Sequence, residues 1–214
     1  MARFILCVVL CSTACVPKDI ALARDFVESG DLYQALRAFE VAEKNHPHDP
    51  AVQKEVALVR ESFLKEVLTK DVAPVLERLD YAIGWLTNSN ADAAEVRQYL
   101  TRKFTVAQDA GQWLTAVDAA LALAQPERAA WILHVKLPPT EARTELGTLF
   151  KKFPQDAGVC GEWAAFLTEQ GDKPLAIATT QQCRRIKSRT PEQDWAFEMQ
   201  LKELGVSGKK AKKR

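Results

Sequence analysis

Histidine is scarce in this 214-residue chain, with three copies, and cysteine is little commoner at five. Neither falls in the paired short spacings of a zinc or iron–sulfur module. No charge of one sign prevails: 29 Lys and Arg stand against 28 Asp and Glu, a formal net +1. That balance removes a strongly basic nucleic-acid binder as the default. Nine glycines are too few for a collagen-like or glycine-rich chain, and 47% apolar residues are too many for wholesale disorder. No Gly-rich phosphate loop, nucleophile elbow or His-Glu zinc helix occurs. The expectation is a non-catalytic protein without a cofactor, metal or nucleic-acid partner.

Long apolar runs are also missing, save one. Phe4 to Leu10 is unbroken, preceded by Arg3 and followed by Ser12, Thr13 and Ala14. A cationic head, an apolar middle and a small-residue cleavage site predict a secretory signal peptide over residues 1–14. Even extended to Val16 the run has 13 residues, where a membrane-spanning helix needs about 20. Small residues ending on Cys15 resemble the lipobox of bacterial lipoproteins, in which the Cys becomes the acylated first residue. Ser12 stands where that motif usually carries Leu. Ser12 and Ala14 satisfy the ordinary A-x-A rule equally well, which would leave Cys15 unmodified. Under the lipoprotein resemblance, Val16 in place of Asp favours a periplasm-facing position on the outer membrane. The other cleavage leaves a soluble periplasmic protein. Residues 15–208 sum to −5, and Lys209-Lys210-Ala211-Lys212-Lys213-Arg214 carries five positive charges. Residues 205–214 are expected to form a disordered basic tail.

One frame recurs along the chain. Gly30-Asp31-Leu32-Tyr33-Gln34-Ala35 leads to Phe39, Ala42 and Pro47; Gly111 to Ala116 leads to Ala120 and Leu123; Gly171 to Ala176 leads to Thr180 and Cys183. Gly suits the left-handed end of one helix, Asp after it caps the next, and Ala five residues past Gly lets the two helices approach. Leu22, Ala23, Phe26, Gly30, Ala35, Phe39, Ala42 and Pro47 resemble the signature of the tetratricopeptide (TPR) repeat, a 34-residue pair of antiparallel helices. Asp19 stands in its tryptophan slot. Residues 157–190 match more weakly through Trp163, Ala164, Leu167, Gly171, Ala176 and Cys183, with Thr180 in a usually aromatic slot.

Three degenerate copies are expected between the clear repeats 16–49 and 157–190. One turns at Lys70-Asp71 and buries Phe63, Val75, Leu79 and Ala82; the next centres on Gly111. The last runs from Pro126 through Ala130, Leu133, Ala142, Leu146 and Leu149 to Pro154, with one helix near it truncated. Pro47, Pro50, Pro126, Pro138, Pro139, Pro154 and Pro191 fall between proposed helices, and Pro74 and Pro174 in first turns. No strand-length window alternates apolar and polar residues between turn signals. The predicted fold class is all-α: an α-solenoid of about five hairpins over 15–204. A capping helix over 191–204 carries Trp195, Phe197, Met199, Leu201 and Leu204, some of which would cover the last repeat.

The TPR resemblance implies a protein–protein interaction scaffold whose concave face is lined by first helices. Its groove slots project onto Arg24, Val27, Arg60, Gln108, Asp109, Trp131 and His134. Trp131 equally fits a core and Arg24 a solvated face. The Lys and Asn set that clamps a C-terminal carboxylate in some members is absent. Repeats plus an anchor are similar in layout to envelope lipoproteins that assist β-barrel assembly or pilot secretins. A protein or peptide partner in the cell envelope is therefore expected, with the membrane met through the N-terminal lipid. Antiparallel helices meeting near Gly171 place Cys160 opposite Cys183. A disulfide there and two buried free thiols are both admissible. His46-Pro47-His48-Asp49 reads as solvated loop.

Overall fold

The computed structural model describes residues 17–206. The leader over 1–14, the lipidation site Cys15 and all but the first two residues of the basic tail lie outside the described residues. Among the described residues there are eleven α-helices and no strand. The chain divides into two compact units at Val72 and Ala73. The expected second hairpin straddles that division, so its two helices are described with separate units. The fold is all-α and of the α-solenoid type, because within each unit every helix packs on the next in order.

The first unit holds α1 (Lys18–Ser29), α2 (Leu32–Asn45) and α3 (Pro50–Thr69). Ile20, Ala23, Leu36, Phe39, Val56 and Phe63 are buried in it, and Tyr33 stacks on Phe63 at 6.0 Å between centroids. Asp19, in the slot that the repeat gives to Trp, ties the hairpin's open end instead: Asn45 Nδ2 donates to it at 2.9 Å. Leu22, expected at a signature position, is exposed.

The second unit holds α4 (Val75–Asn88), α5 (Ala93–Asp109), α6 (Trp113–Ala122), α7 (Pro126–Lys136), α8 (Pro139–Lys152), α9 (Ala157–Glu169), α10 (Lys173–Cys183) and α11 (Pro191–Glu203). Helix α7 packs on both α8 and α9, so first helices of successive hairpins meet directly. The truncated helix is α6, at 10 residues. Leu79, Ala82, Leu133, Leu146 and Leu167 are buried as expected, whereas Val75 is only half-buried. Pro50, Pro126, Pro139 and Pro191 prove to be the first residues of their helices rather than linker residues. The physical reason is the same: a first-turn residue needs no N–H donor.

The Gly-centred turns form as the recurring frame requires. Gly30, Gly111 and Gly171 have φ of +81°, +68° and +74°. The residue after each reaches back to close the helix, as in Asp31 N–H to Phe26 C=O at 2.9 Å and Asp172 N–H to Leu167 C=O at 3.0 Å. Ala35, Ala116 and Ala176 are fully buried. Asp31 caps α2 by accepting from Gln34 N–H. Asp172 departs from the pattern: its carboxylate accepts from Arg143 at 2.7 Å and makes no side-chain cap.

Two further turns use the same left-handed closure without glycine, at Asn90 (φ +54°) and Ala124 (φ +57°). Asparagine tolerates that region, but at Ala124 the side chain costs about 1–2 kcal/mol, partly offset because Gly loses more entropy on folding. Ala124→Gly is therefore expected to stabilise the second unit by about 0.5–1 kcal/mol. A thermal melt should show the rise, and an unchanged or lower midpoint would contradict it.

The last hairpin and its cap are held by covalent, apolar and polar contacts. Cys160 on α9 and Cys183 on α10, both fully buried, are joined in a disulfide with Cα atoms 5.6 Å apart. Phe197 of α11 covers the same small core, which also holds Ala157, Ala164 and Ile186. Thr180, in the slot expected to be aromatic, donates its hydroxyl to the Ala176 carbonyl at 2.7 Å and lies 3.2 Å from Gln200 Oε1. Gln200 Nε2 donates to Thr168 Oγ1 at 2.9 Å, so the cap replaces ring packing with hydrogen bonds. Leu201 and Leu204 are buried, but Trp195 is 67% exposed and Met199 is exposed beside it. Those two residues do not serve the capping role.

Candidate functional site

The predicted groove residues divide between the two units. Arg24, Val27 and Arg60 belong to the first unit, and the remaining predicted residues to the second. Arg24 is engaged within its own unit: its guanidinium pairs in bidentate fashion with Glu55, at 2.9 and 2.6 Å. Val27 and Arg60 are half-buried. Gln108 and Asp109 sit at the end of α5, the first half-buried and the second exposed.

Trp131 and His134 do come together, on one face of α7 turned toward α9. A cleft of about 520 Å³ opens there, lined by Gln125, Glu127, Arg128, Trp131, Asp156 and Glu162 among others. Trp131 is 41% exposed, so it is not a core residue. Helix–helix distance at this point is set by Gly158. A methyl at 158 would overlap the Glu127 side chain and reach within 2.7 Å of its Cβ. Glycine thus lets α9 lie close under Glu127, which also lines the cleft.

The electrostatics of the cleft are lopsided. His134 Nδ1 meets Glu162 Oε2 at 2.6 Å and its Nε2 meets Glu169 Oε2 at 3.2 Å, while Phe166 presents to the ring at 6.0 Å in an edge-on arrangement. The Glu162 hydrogen bond holds the His134 pKa above its ordinary 6.5, with Glu169 adding to it and burial opposing. The two ring nitrogens face opposite ways, so these three groups do not converge on one point. No set of three His, Cys, Asp or Glu suited to a metal occurs among the described residues. Cationic groups near the cleft are turned onto aromatic faces. Arg128 lies 3.8 Å over Phe104, and Lys136 Nζ 5.1 Å over Trp113 and 5.8 Å over Trp131.

The His134 clasp carries a pH dependence. A histidine whose folded pKa is raised contributes stability below its unfolded value, near 6.5, and loses it as pH rises through the folded pKa. The stability advantage over His134→Gln is expected to be greatest just below pH 6.5 and to fade on the alkaline side. Urea melts of both proteins at pH 6 and pH 9 check this; an equal advantage at the two pH values would contradict it.

Of the residues that line the cleft, sequence reasoning named Trp131 but not Glu127, Asp156 or Glu162, and His134 and Glu169 stand outside the lining. Glu162 and Glu169 are spaced to share a helix face, which is a usable signal only once α9 is known to face α7. The loop histidine His46 lies 3.6 Å from Asp19 Oδ2.

No family model and no curated protein matches the sequence. Two solved structures are similar over most of the chain. One is a thermophilic TPR protein of Thermus thermophilus, 19% identical, with 88% of this chain and 82% of that one covered at a TM-score of 0.29. The other is a tetratricopeptide repeat protein from Parabacteroides merdae, 14% identical, covering 91% and 93% at a TM-score of 0.24. The fold assignment rests on the helix order, turn closures and packing described above.

Proposed function

We propose that this chain is a non-catalytic scaffold that binds a protein or peptide segment in the α7–α9 cleft. It is anchored by an acylated Cys15 to the periplasmic face of the outer membrane, where it assists assembly of an envelope complex such as an outer-membrane, pilus or secretion machine. The observation that carries the binding role is the half-exposed Trp131 between two directly packed first helices. A large aromatic surface in a cleft is where interface energy concentrates. No described helix is long and apolar enough to cross a membrane. In this reading the acyl chains make the attachment, each buried CH₂ contributing about 0.8 kcal/mol. The Cys160–Cys183 disulfide supports an oxidising compartment. Anchoring would raise the effective concentration of the cleft for partners on the same membrane. Of the groove positions in the same unit, Gln108 and Asp109 are secondary contacts in this reading.

A photo-crosslinking residue placed at 131 in growing cells is expected to trap a component of an envelope machine, while one at the exposed Lys151 of α8 does not. Equal labelling from both positions, or none from 131, sinks the reading. A soluble periplasmic adaptor for cell-wall enzymes is the second reading, favoured by Ser12 and Ala14 fitting the ordinary cleavage rule. The intact mass of the mature protein separates the two: acylated Cys15 supports the anchor, unmodified Cys15 the adaptor.

A further inference from the structure

We infer that the occupant of the α7–α9 cleft is a basic segment of another protein, carrying an apolar side chain that seats on Trp131. This rests on the groove reading above and narrows it to one partner chemistry. Three carboxylates line the cleft: Glu127, Asp156 and Glu162. Glu127 makes no ion pair with any described residue, and Glu162 engages His134 through one oxygen. Asp156 spends its bonding on the start of α9, accepting from Val159 N–H at 2.9 Å, but its charge remains. The one cation in the lining, Arg128, is stacked on Phe104 and bonded to Gln125, on the side of α5.

An acidic segment entering the cleft would face those three carboxylates, while Arg128 is held on the Phe104 ring and Lys136 on the Trp113 and Trp131 rings. A segment bearing Lys or Arg would supply the missing counter-charge. Like charges brought together at an interface suppress wrong partners, so the preference is one of specificity as well as affinity. Trp131, 41% exposed with Lys136 Nζ 5.8 Å over its ring, adds aromatic surface on which an aliphatic side chain can seat. The volume lies within the range of ordinary binding pockets, roughly 300–1,000 Å³, so the cleft admits a few side chains rather than a whole helix. The protein's own Lys209–Arg214 cluster shares this chemistry and is the competing occupant.

The test uses the full chain and two fluorescein-labelled peptides of equal length, one with Arg and Leu in a Gly-Ser background and one with Glu replacing Arg. Fluorescence anisotropy is expected to show the basic probe binding at least tenfold tighter, with affinity falling as salt rises. Glu127→Gln should weaken the basic probe by about three- to tenfold, as loss of one charge contact worth about 1 kcal/mol does. It leaves the His134 clasp intact, unlike Glu162→Gln. Equal affinity for the two probes, or no effect of Glu127→Gln, overturns the inference. If Trp131→Ala abolishes binding in that case, the groove reading survives alone; if Trp131→Ala changes nothing, the groove reading fails too. A chain ending at Val206 should bind the probe as the full chain does. Binding tenfold tighter after that truncation would make the tail the resting occupant and overturn the assignment to another protein.

Discussion

Replacing Cys160 and Cys183 together by Ala is expected to destabilise the second unit by about 3 kcal/mol, the loop-closure entropy for a bond spanning roughly two dozen residues. Both sulfurs are fully buried in a small apolar core with Ala157, Ala164, Ile186 and Phe197, so Ala leaves no stranded polar atom there. For a protein of this size, about 3 kcal/mol corresponds to a fall of roughly 6–12 °C in melting midpoint. Reduction of the wild-type protein should reproduce most of the drop, because it removes the cross-link and keeps the packing. Non-reducing peptide mapping should recover Cys160 and Cys183 in one linked fragment. Free thiols at both positions in exported protein, or equal midpoints with and without reductant, would remove the bond from the account of stability.

Phe166→Ala carries a comparable or larger cost, about 3–5 kcal/mol, as expected for truncating a fully packed aromatic. The ring is buried, stacks on Trp163 at 5.6 Å and backs the His134 imidazole. Its removal opens a cavity at the junction of α7 and α9, so stability and cleft geometry should suffer together. Phe166→Leu fills most of that space and should cost less than half as much. Urea unfolding of the two variants measures the difference. A Phe166→Ala cost below about 1 kcal/mol would mean that α7 and α9 are not packed through this ring.

Much of the repeat frame was legible because its signals are local. A glycine at positive φ, an alanine five residues on and a proline at a helix start each act through their own backbone or nearest turn. Gly30, Gly111 and Gly171, with Ala35, Ala116 and Ala176, accordingly sit where the frame puts them. Turns that use other residues escaped notice: Ala124 adopts a left-handed conformation that its side chain does not advertise, and Asn90, although asparagine suits that region, stands outside the Gly-centred frame. Side-chain partners were less legible still. Arg24 reads equally well as groove residue or solvated charge until Glu55 is found against it. Asp172 reads as a cap until Arg143 claims its carboxylate. Trp195 belongs to an apolar pattern on α11, yet the face that meets α9 and α10 is that of Phe197 and Leu201.

From composition and order alone the chain was bound to be helical, with hairpins at these turns and a closing helix, because capping and close approach depend on residues a few positions apart. Which side chains line a cleft was settled only in three dimensions. Glu127, Trp131, Asp156 and Glu162 come from separate stretches of sequence, and they meet because Gly158 lets α9 slide under α7. Pairwise electrostatics falls off over a few ångströms, so their shared charge has meaning only after that packing has brought them within reach of one another.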